Sequence, residues 1–140
     1  MIKQNLSDIK IRIASVCAKA GRNPREITLV AVSKGRTVRQ IKEVIAEGIT
    51  DIGENRVQEA LLKYNAIPAC PAGRHATQDA RQIRWHMLGH LQTNKVKEAV
   101  KLFDLIQSVD SLRLAGEINR QSEKLKKIQD ILLEVNISAD

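Results

Sequence analysis

Lys34 is the side chain in this sequence best suited to covalent chemistry with an aldehyde, because it closes an apolar, β-branched run from Ile27 to Val32 and follows Ser33. An ammonium is costly to desolvate at the end of a buried strand, so a lysine there tends toward the free amine that attacks a carbonyl carbon. The plainer alternative is a lysine that reaches past the strand end into water, and position alone does not separate the two. Other polar residues fall where further strands would end. Glu54 and Asn55 follow a second strand, and His86 lies within a third with Gly89, His90 and Gln92 beyond it. Ser108 and Asp110 follow a fourth, and Asn136 and Ser138 close a fifth. In parallel α/β folds these carboxyl ends are where active sites lie.

The elements that must position these residues alternate along the chain. Leu6, Ile9, Ile13, Val16 and Cys17 have helical spacing, and Gly21 and Pro24 stop the helix. Ile27 to Val32 reads as a buried strand. Thr37, with Gln40 three residues on, has the form of a capping box and opens a second helix that Gly48 closes. Ile49 to Ile52 is a brief strand, and Gly53, Glu54 and Asn55 turn into a helix carrying Val57, Leu61 and Leu62. The segment 65–82, with Pro68, Pro71 and Gly73 and no periodicity, is expected to be a mobile surface loop. Beyond it come a strand from Ile83 to Leu88, a helix from Thr93 to Lys101, a strand from Leu102 to Val109, a helix from Ser111 to Lys126 with Leu112, Leu114, Ala115 and Ile118 inward, and a strand from Ile128 to Ile137. Alternation of this kind makes right-handed βαβ units and a parallel sheet, covered either as a doubly wound fold or as a (β/α)₈ barrel. Periodicity does not choose between them, although the absence of a glycine-rich turn after the first strand argues against the common dinucleotide-binding version.

Composition narrows the function classes. With 140 residues, 43% hydrophobic and 28% charged, the chain reads as one globular domain over 1–140. A net charge of +7 favours phosphate-bearing partners. Aromatic residues make up only 2%, which removes the stacking platforms of single-stranded nucleic-acid binders, so a solvated basic surface is favoured over a nucleic-acid groove. Cys17 reads as packing and Cys70 as a loop thiol without the partners of a metal site. With no secretory leader pattern and no apolar run near the roughly 20 residues needed to span a bilayer, the expected setting is the cytoplasm, away from membranes.

Four blocks then add a family resemblance: Leu29-Val-Ala-Val-Ser-Lys34; Asp51-Ile-Gly-Glu-Asn55 with Val57-Gln-Glu-Ala60; Trp85-His-Met-Leu-Gly-His-Leu-Gln-Thr-Asn-Lys95; and Leu133-Glu-Val-Asn-Ile-Ser138. In this order and at these spacings they resemble the pyridoxal phosphate homeostasis protein family, from about Ile27 to the end of the chain. The resemblance implies a TIM-type barrel similar to the amino-terminal domain of alanine racemase, with pyridoxal 5′-phosphate held by Lys34 as an internal aldimine. It also implies a carrier that stores the cofactor, delivers it to apoenzymes and buffers a reactive aldehyde. Asn55 matches the family's position near the cofactor ring and is assigned to lining the site, while capping the following helix is compatible with that role. His86 sits inside the barrel beside the ring or, alternatively, is a core histidine satisfied by hydrogen bonds. Asn94 and Lys95 are expected to cap and solvate a helix rather than touch ligand.

The chain departs from the family at Gly35, where the family usually has Thr, and in a longer segment from Pro68 to Gln82. It also shows about five strands of the eight a closed barrel needs, so it reads as the amino-terminal part of such a barrel, with the phosphate cup beyond Asp140 and self-association expected if the chain is truncated. Two other functions compete. A pyridoxal phosphate-dependent racemase- or decarboxylase-type enzyme would need a second acid or base opposite Lys34, and the one tyrosine, Tyr64, lies at a helix end. A small basic nucleic-acid-binding module would need a basic stripe interleaved with aromatics.

Overall fold

A computed structural model of the chain describes residues 1–67 and 83–138. Helix α1 (Ile2–Lys19) leads into β1 (Val30–Val32), and then follow α2 (Val38–Ala46), β2 (Asp51–Glu54), α3 (Val57–Ala66), β3 (Arg84–Met87), α4 (Val96–Leu102), β4 (Leu105–Val109), α5 (Leu112–Lys124) and β5 (Asp130–Leu133). Thr37 caps α2 as its spacing predicts: its hydroxyl accepts from the Gln40 amide at 3.3 Å, and the Gln40 carboxamide oxygen accepts from the Thr37 amide at 3.0 Å.

The strands form one sheet in the order β1-β2-β3-β4-β5, with every neighbouring pair parallel. That order settles what periodicity leaves open. A doubly wound sheet reverses its strand order at a switch point so that helices cover both faces. An unreversed run of right-handed βαβ units instead lays every helix on one face and curls toward a barrel. The helices accordingly pack on their neighbours in sequence, α1 on α2, α3 on α4 and α4 on α5. The architecture is the five-stranded part of an α/β barrel.

Strand period 2 divides the sheet into two faces. Ile52, Trp85, Met87 and Ile106 point to the helices and join Ile41, Val57, Ala60, Val96, Ala99, Val100, Leu114 and Ile118 in one buried cluster. Each large side chain so buried contributes about 1.5–3 kcal/mol. The register pairs Val32 with Gly53 and Gly53 with His86, so these share the opposite, inner face. A methyl group at Gly53 would strike the Leu88 side chain and lie 3.1 Å from Val30 Cγ1, so any larger residue at this level of the inner face displaces its neighbours.

Several expected boundaries move. The first strand begins at Val30 rather than Ile27, because Pro24–Glu26 forms a 3₁₀ turn ahead of it. The second runs two residues further than expected, to Glu54, because its ladder with β3 continues to the Glu54–Met87 pair. The expected helix from Thr93 opens as a 3₁₀ turn, Thr93–Lys95, and the strand expected from Leu102 starts at Leu105. Leu112, expected inward, is 92% exposed: α5 turns Leu114, Ile118, Gln121 and Ser122 to the core, and a residue two positions before Leu114 faces the opposite way. On α1 only Cys17 of the apolar stripe is buried, while Ile9 and Val16 are exposed. Residues 65–67 of the expected loop 65–82 are not loop, since α3 runs to Ala66 and Ile67 closes it, buried; residues 68–82, with Cys70, lie outside the described residues. Among the described residues no helix is long and apolar enough to cross a membrane.

Candidate functional site

Lys34 stands in a tight turn at the carboxyl end of β1. The Arg36 amide donates to the Ser33 carbonyl at 2.9 Å, closing a four-residue turn with Lys34 and Gly35 at its centre. Gly35 has φ +67°, the left-handed conformation that such a turn asks of its third residue. The glycine that departs from the family pattern therefore has a local reason.

Both residues flanking Lys34 are anchored. On one side, the Ser33 amide donates to the Gly53 carbonyl at 2.9 Å and the Ser33 hydroxyl donates to Glu54 Oε1. The Ser33 carbonyl also accepts from Lys63 Nζ at 2.5 Å. On the other side, the Gly35 amide donates to Glu59 Oε1 at 2.7 Å. Lys63 joins the anchors: its ammonium reaches Glu54 Oε1 at 2.6 Å and Glu59 Oε1 at 2.7 Å, with its side chain 8% exposed and that of Glu54 wholly buried. Burial works to lower the Lys63 pKa, but the hydrogen bonds to Glu54 and Glu59 outweigh it and hold the ammonium above its usual range. Lys63 and the Gly35 amide together hold the Glu59 carboxyl below the usual carboxylate range. From the sequence Glu54 reads as part of a turn, and this cluster is not foreseen there.

Lys34 itself is exposed, so the strand-end desolvation expected from the sequence does not arise here, and among the described residues it has no ion-pair partner. It opens onto a cavity of about 810 Å³ whose wall includes Asn55, Arg56, Glu59, His90 and Lys95. Three of these groups, with Lys34 among them, are cations, and the single carboxylate is already engaged by Lys63 and Gly35. Such a lining attracts an anion. Asn55 is brought up by β2, and Gly89 lets the turn after β3 close on it, since a Cβ there would sit 2.5 Å from the Asn55 carbonyl oxygen. Lys95, expected only to cap and solvate a helix, also lines this cavity.

The fold thus brings Lys34 and Asn55 together and leaves His86 outside their cavity. His86 is 2% exposed, with Nε2 2.9 Å from Asp51 Oδ1 and Nδ1 3.0 Å from Gln107 Nε2. A hydrogen on Nε2 donating to Asp51, with Nδ1 accepting from the Gln107 amide, satisfies the ring completely. His86 is thus a buried histidine on the inner face, satisfied by hydrogen bonds. Elsewhere along the strand ends, Ser108 donates to the Gly89 carbonyl at 2.6 Å, His90 pairs with Asp110 at 3.2 Å, and Asn136 accepts from the Ser138 amide at 3.0 Å. These contacts shape loops. Tyr64 packs edge-on against Trp85, ring centres 5.9 Å apart, and is not on the cavity wall.

Comparison with known proteins bears on this geometry. A pyridoxal phosphate homeostasis protein of Aquifex aeolicus is 36% identical over 137 residues, which are 98% of this chain and 55% of that protein. One of Escherichia coli is 34% identical over 138 residues, again 98% of this chain and 55% of its own length. The solved structure of PipY of Synechococcus elongatus with pyridoxal phosphate bound superposes with a TM-score of 0.78 at 33% identity, covering 100% of this chain and 57% of that one. A protein from Bifidobacterium adolescentis gives 0.87 at 34% identity, covering 99% and 56%. The chain spans about half the length of the curated relatives it matches. The family model for the alanine racemase N-terminal domain matches residues 4–140, and the chain belongs to that family.

Proposed function

We propose that the chain is the lysine-bearing part of a pyridoxal 5′-phosphate carrier in cellular cofactor homeostasis, with Lys34 as the point of covalent attachment. The observation that carries this reading is the pairing of an exposed, unpaired Lys34 amine with Asn55 on one cation-lined cavity. The cofactor, when bound, supplies an electrophilic aldehyde carbon and an electron-withdrawing ring. The chain's own residues do the rest. Lys34 Nζ would supply the nucleophile, Asn55 would line the cavity beside it, Arg56 and Lys95 would draw in an anionic molecule, and His86 with Asp51 and Gln107 forms the inner wall of the sheet. In barrels of this kind the phosphate is gripped by loops after strands seven and eight, so these five strands alone are expected to hold the cofactor weakly.

A carrier role is favoured over turnover because racemisation needs proton-transfer groups on opposite faces of the substrate carbon. Of the cavity's acid–base groups among the described residues, Glu59 is held by Lys63 and Gly35, and His90 is largely exposed against Asp110. The names of the curated relatives agree with a homeostatic role. The same reading takes the cytoplasm as the setting and pyridoxal phosphate-dependent apoenzymes as recipients, with a second copy of the chain as the simplest cover for the open sheet.

The test is to incubate the protein with pyridoxal phosphate, reduce with borohydride and map the adduct by mass spectrometry. One modified residue, Lys34, lost in Lys34→Ala, is expected. Label spread over surface lysines and unchanged in Lys34→Ala would overturn the assignment. Cofactor-dependent racemisation that Lys34→Ala abolishes would turn the reading toward an enzyme.

A further inference from the structure

We infer that Glu54, Glu59 and Lys63 are positioning residues for Lys34, acting through the turn that carries it. The inference rests on the cofactor reading above and extends it to side chains that act through the backbone beside Lys34. Their contacts fall on the two residues that bracket Lys34. Lys63 holds the Ser33 carbonyl, Glu54 accepts from the Ser33 hydroxyl, and Glu59 accepts from the Gly35 amide. The same Glu54 immediately precedes Asn55, so one cluster sets the ends of both β1 and β2.

Burying an ammonium with two carboxylates is a poor route to stability, since well-packed apolar side chains of similar volume often do as well or better. Meanwhile the turn contains Gly35 at positive φ, a residue with more backbone freedom than any other, so without anchors on both sides Lys34 would sample many directions. A second consequence concerns charge. Glu59 lines the cavity that Lys34 opens onto, yet its Oε1 is occupied by Lys63 and the Gly35 amide, so Lys34 is left unpaired there. A turn anchored on both sides limits where the Lys34 side chain starts from and so where it can reach, which raises its effective concentration toward a carbonyl in the cavity.

Glu59 is the member to alter, because its side chain is 29% exposed and its loss leaves Lys63 and Glu54 paired. Two readouts are taken on native protein, Glu59→Gln and Glu59→Ala: hydrogen exchange of the Gly35 amide without cofactor, and borohydride-trapped adduct at Lys34 at sub-saturating pyridoxal phosphate. Glu59→Ala is expected to lose Gly35 protection and to lower the Lys34 adduct by about ten-fold. Glu59→Gln, which keeps an acceptor for the amide, is expected to recover most of both. Adduct within two-fold of native in Glu59→Ala, with Gly35 deprotected, would overturn the inference while leaving the cofactor reading intact. A native protein that acquires no adduct at Lys34 would overturn the cofactor reading, and this inference with it.

Discussion

Strands β3 and β5 are both rich in apolar residues, yet they live in opposite environments. In β3, Trp85 and Met87 are 0% and 1% exposed; in β5, Ile131, Leu132 and Leu133 are 36%, 50% and 71% exposed. What differs is the surroundings. β3 has β2 on one side, β4 on the other, and helices over one face, whereas β5 is bonded only to β4. The pattern repeats at the other edge, where Val32 of β1 is 56% exposed. Exposure of an apolar strand therefore reports its neighbours rather than its composition, and the molecule consists of a dry centre with uncovered flanks. Flanks of that kind are aggregation-prone unless another strand or chain covers them.

The sharpest way to break this contrast is to truncate one large side chain in each strand. Trp85→Ala should cost about 3–5 kcal/mol by urea unfolding, because it empties a fully enclosed site and removes the edge-on contact with Tyr64. Leu133→Ala should change stability by less than about 0.5 kcal/mol. Equal losses would show that β5 is as enclosed as β3. A second comparison sets the buried ion cluster against the apolar core. Lys63→Met should cost roughly 3 kcal/mol near neutral pH, since it leaves Glu54 buried and unpaired.

The pH dependence of that cluster has a definite sign. Glu59, lowered from its ordinary 4.5, contributes stability above that value which is lost as pH falls through its folded pKa. Lys63, raised from 10.5, contributes stability below that value which is lost as pH rises through its folded pKa. Native protein should thus hold a plateau between the two. Lys63→Met should flatten both limbs, because it removes the ammonium itself and the main cause of the lowered Glu59 carboxyl. A variant whose acid limb matched the native one would disprove the coupling. The smallest expected effects contrast two glycines. Gly53→Ala should lower the thermal midpoint, at a cost of about 1–3 kcal/mol, as Leu88 and Val30 give way. Gly116→Ala, in open space on α5, should raise it, by about 0.5–1 kcal/mol.

Much of this arrangement is legible in the sequence. The apolar run before Lys34 marks a strand end, the Thr37–Gln40 spacing marks a cap, and the alternation of elements marks a parallel sheet, because each rests on local chemistry. Strand order is not local, so periodicity leaves the choice between doubly wound and barrel folds open; the four-block resemblance implies the barrel, and the unreversed strand order bears it out. The long expected strand from Ile128 to Ile137 failed for the same reason: Ile128, Val135 and Ile137 are apolar but outside the ladder with β4. The Glu54, Glu59 and Lys63 cluster was missed because a Glu and a Lys four apart on a helix ordinarily form a solvated surface pair. A signal was present, since Lys63 lies three residues after Ala60 and four before Ile67, both buried, which puts a lysine on the core-facing stripe of α3. A buried lysine requires a partner.

The unreversed strand order carries one more consequence, for how the chain acquires its structure. Among the described strands, every ladder joins a strand to the next one in sequence. As the polypeptide leaves the ribosome, β1 and β2 can pair before β3 exists, and each subsequent βα unit docks on an edge already in place. Assembly can therefore proceed vectorially, from the amino terminus onward, as domains made during translation commonly do. The growing edge that makes this possible passes in turn from β1 to β5.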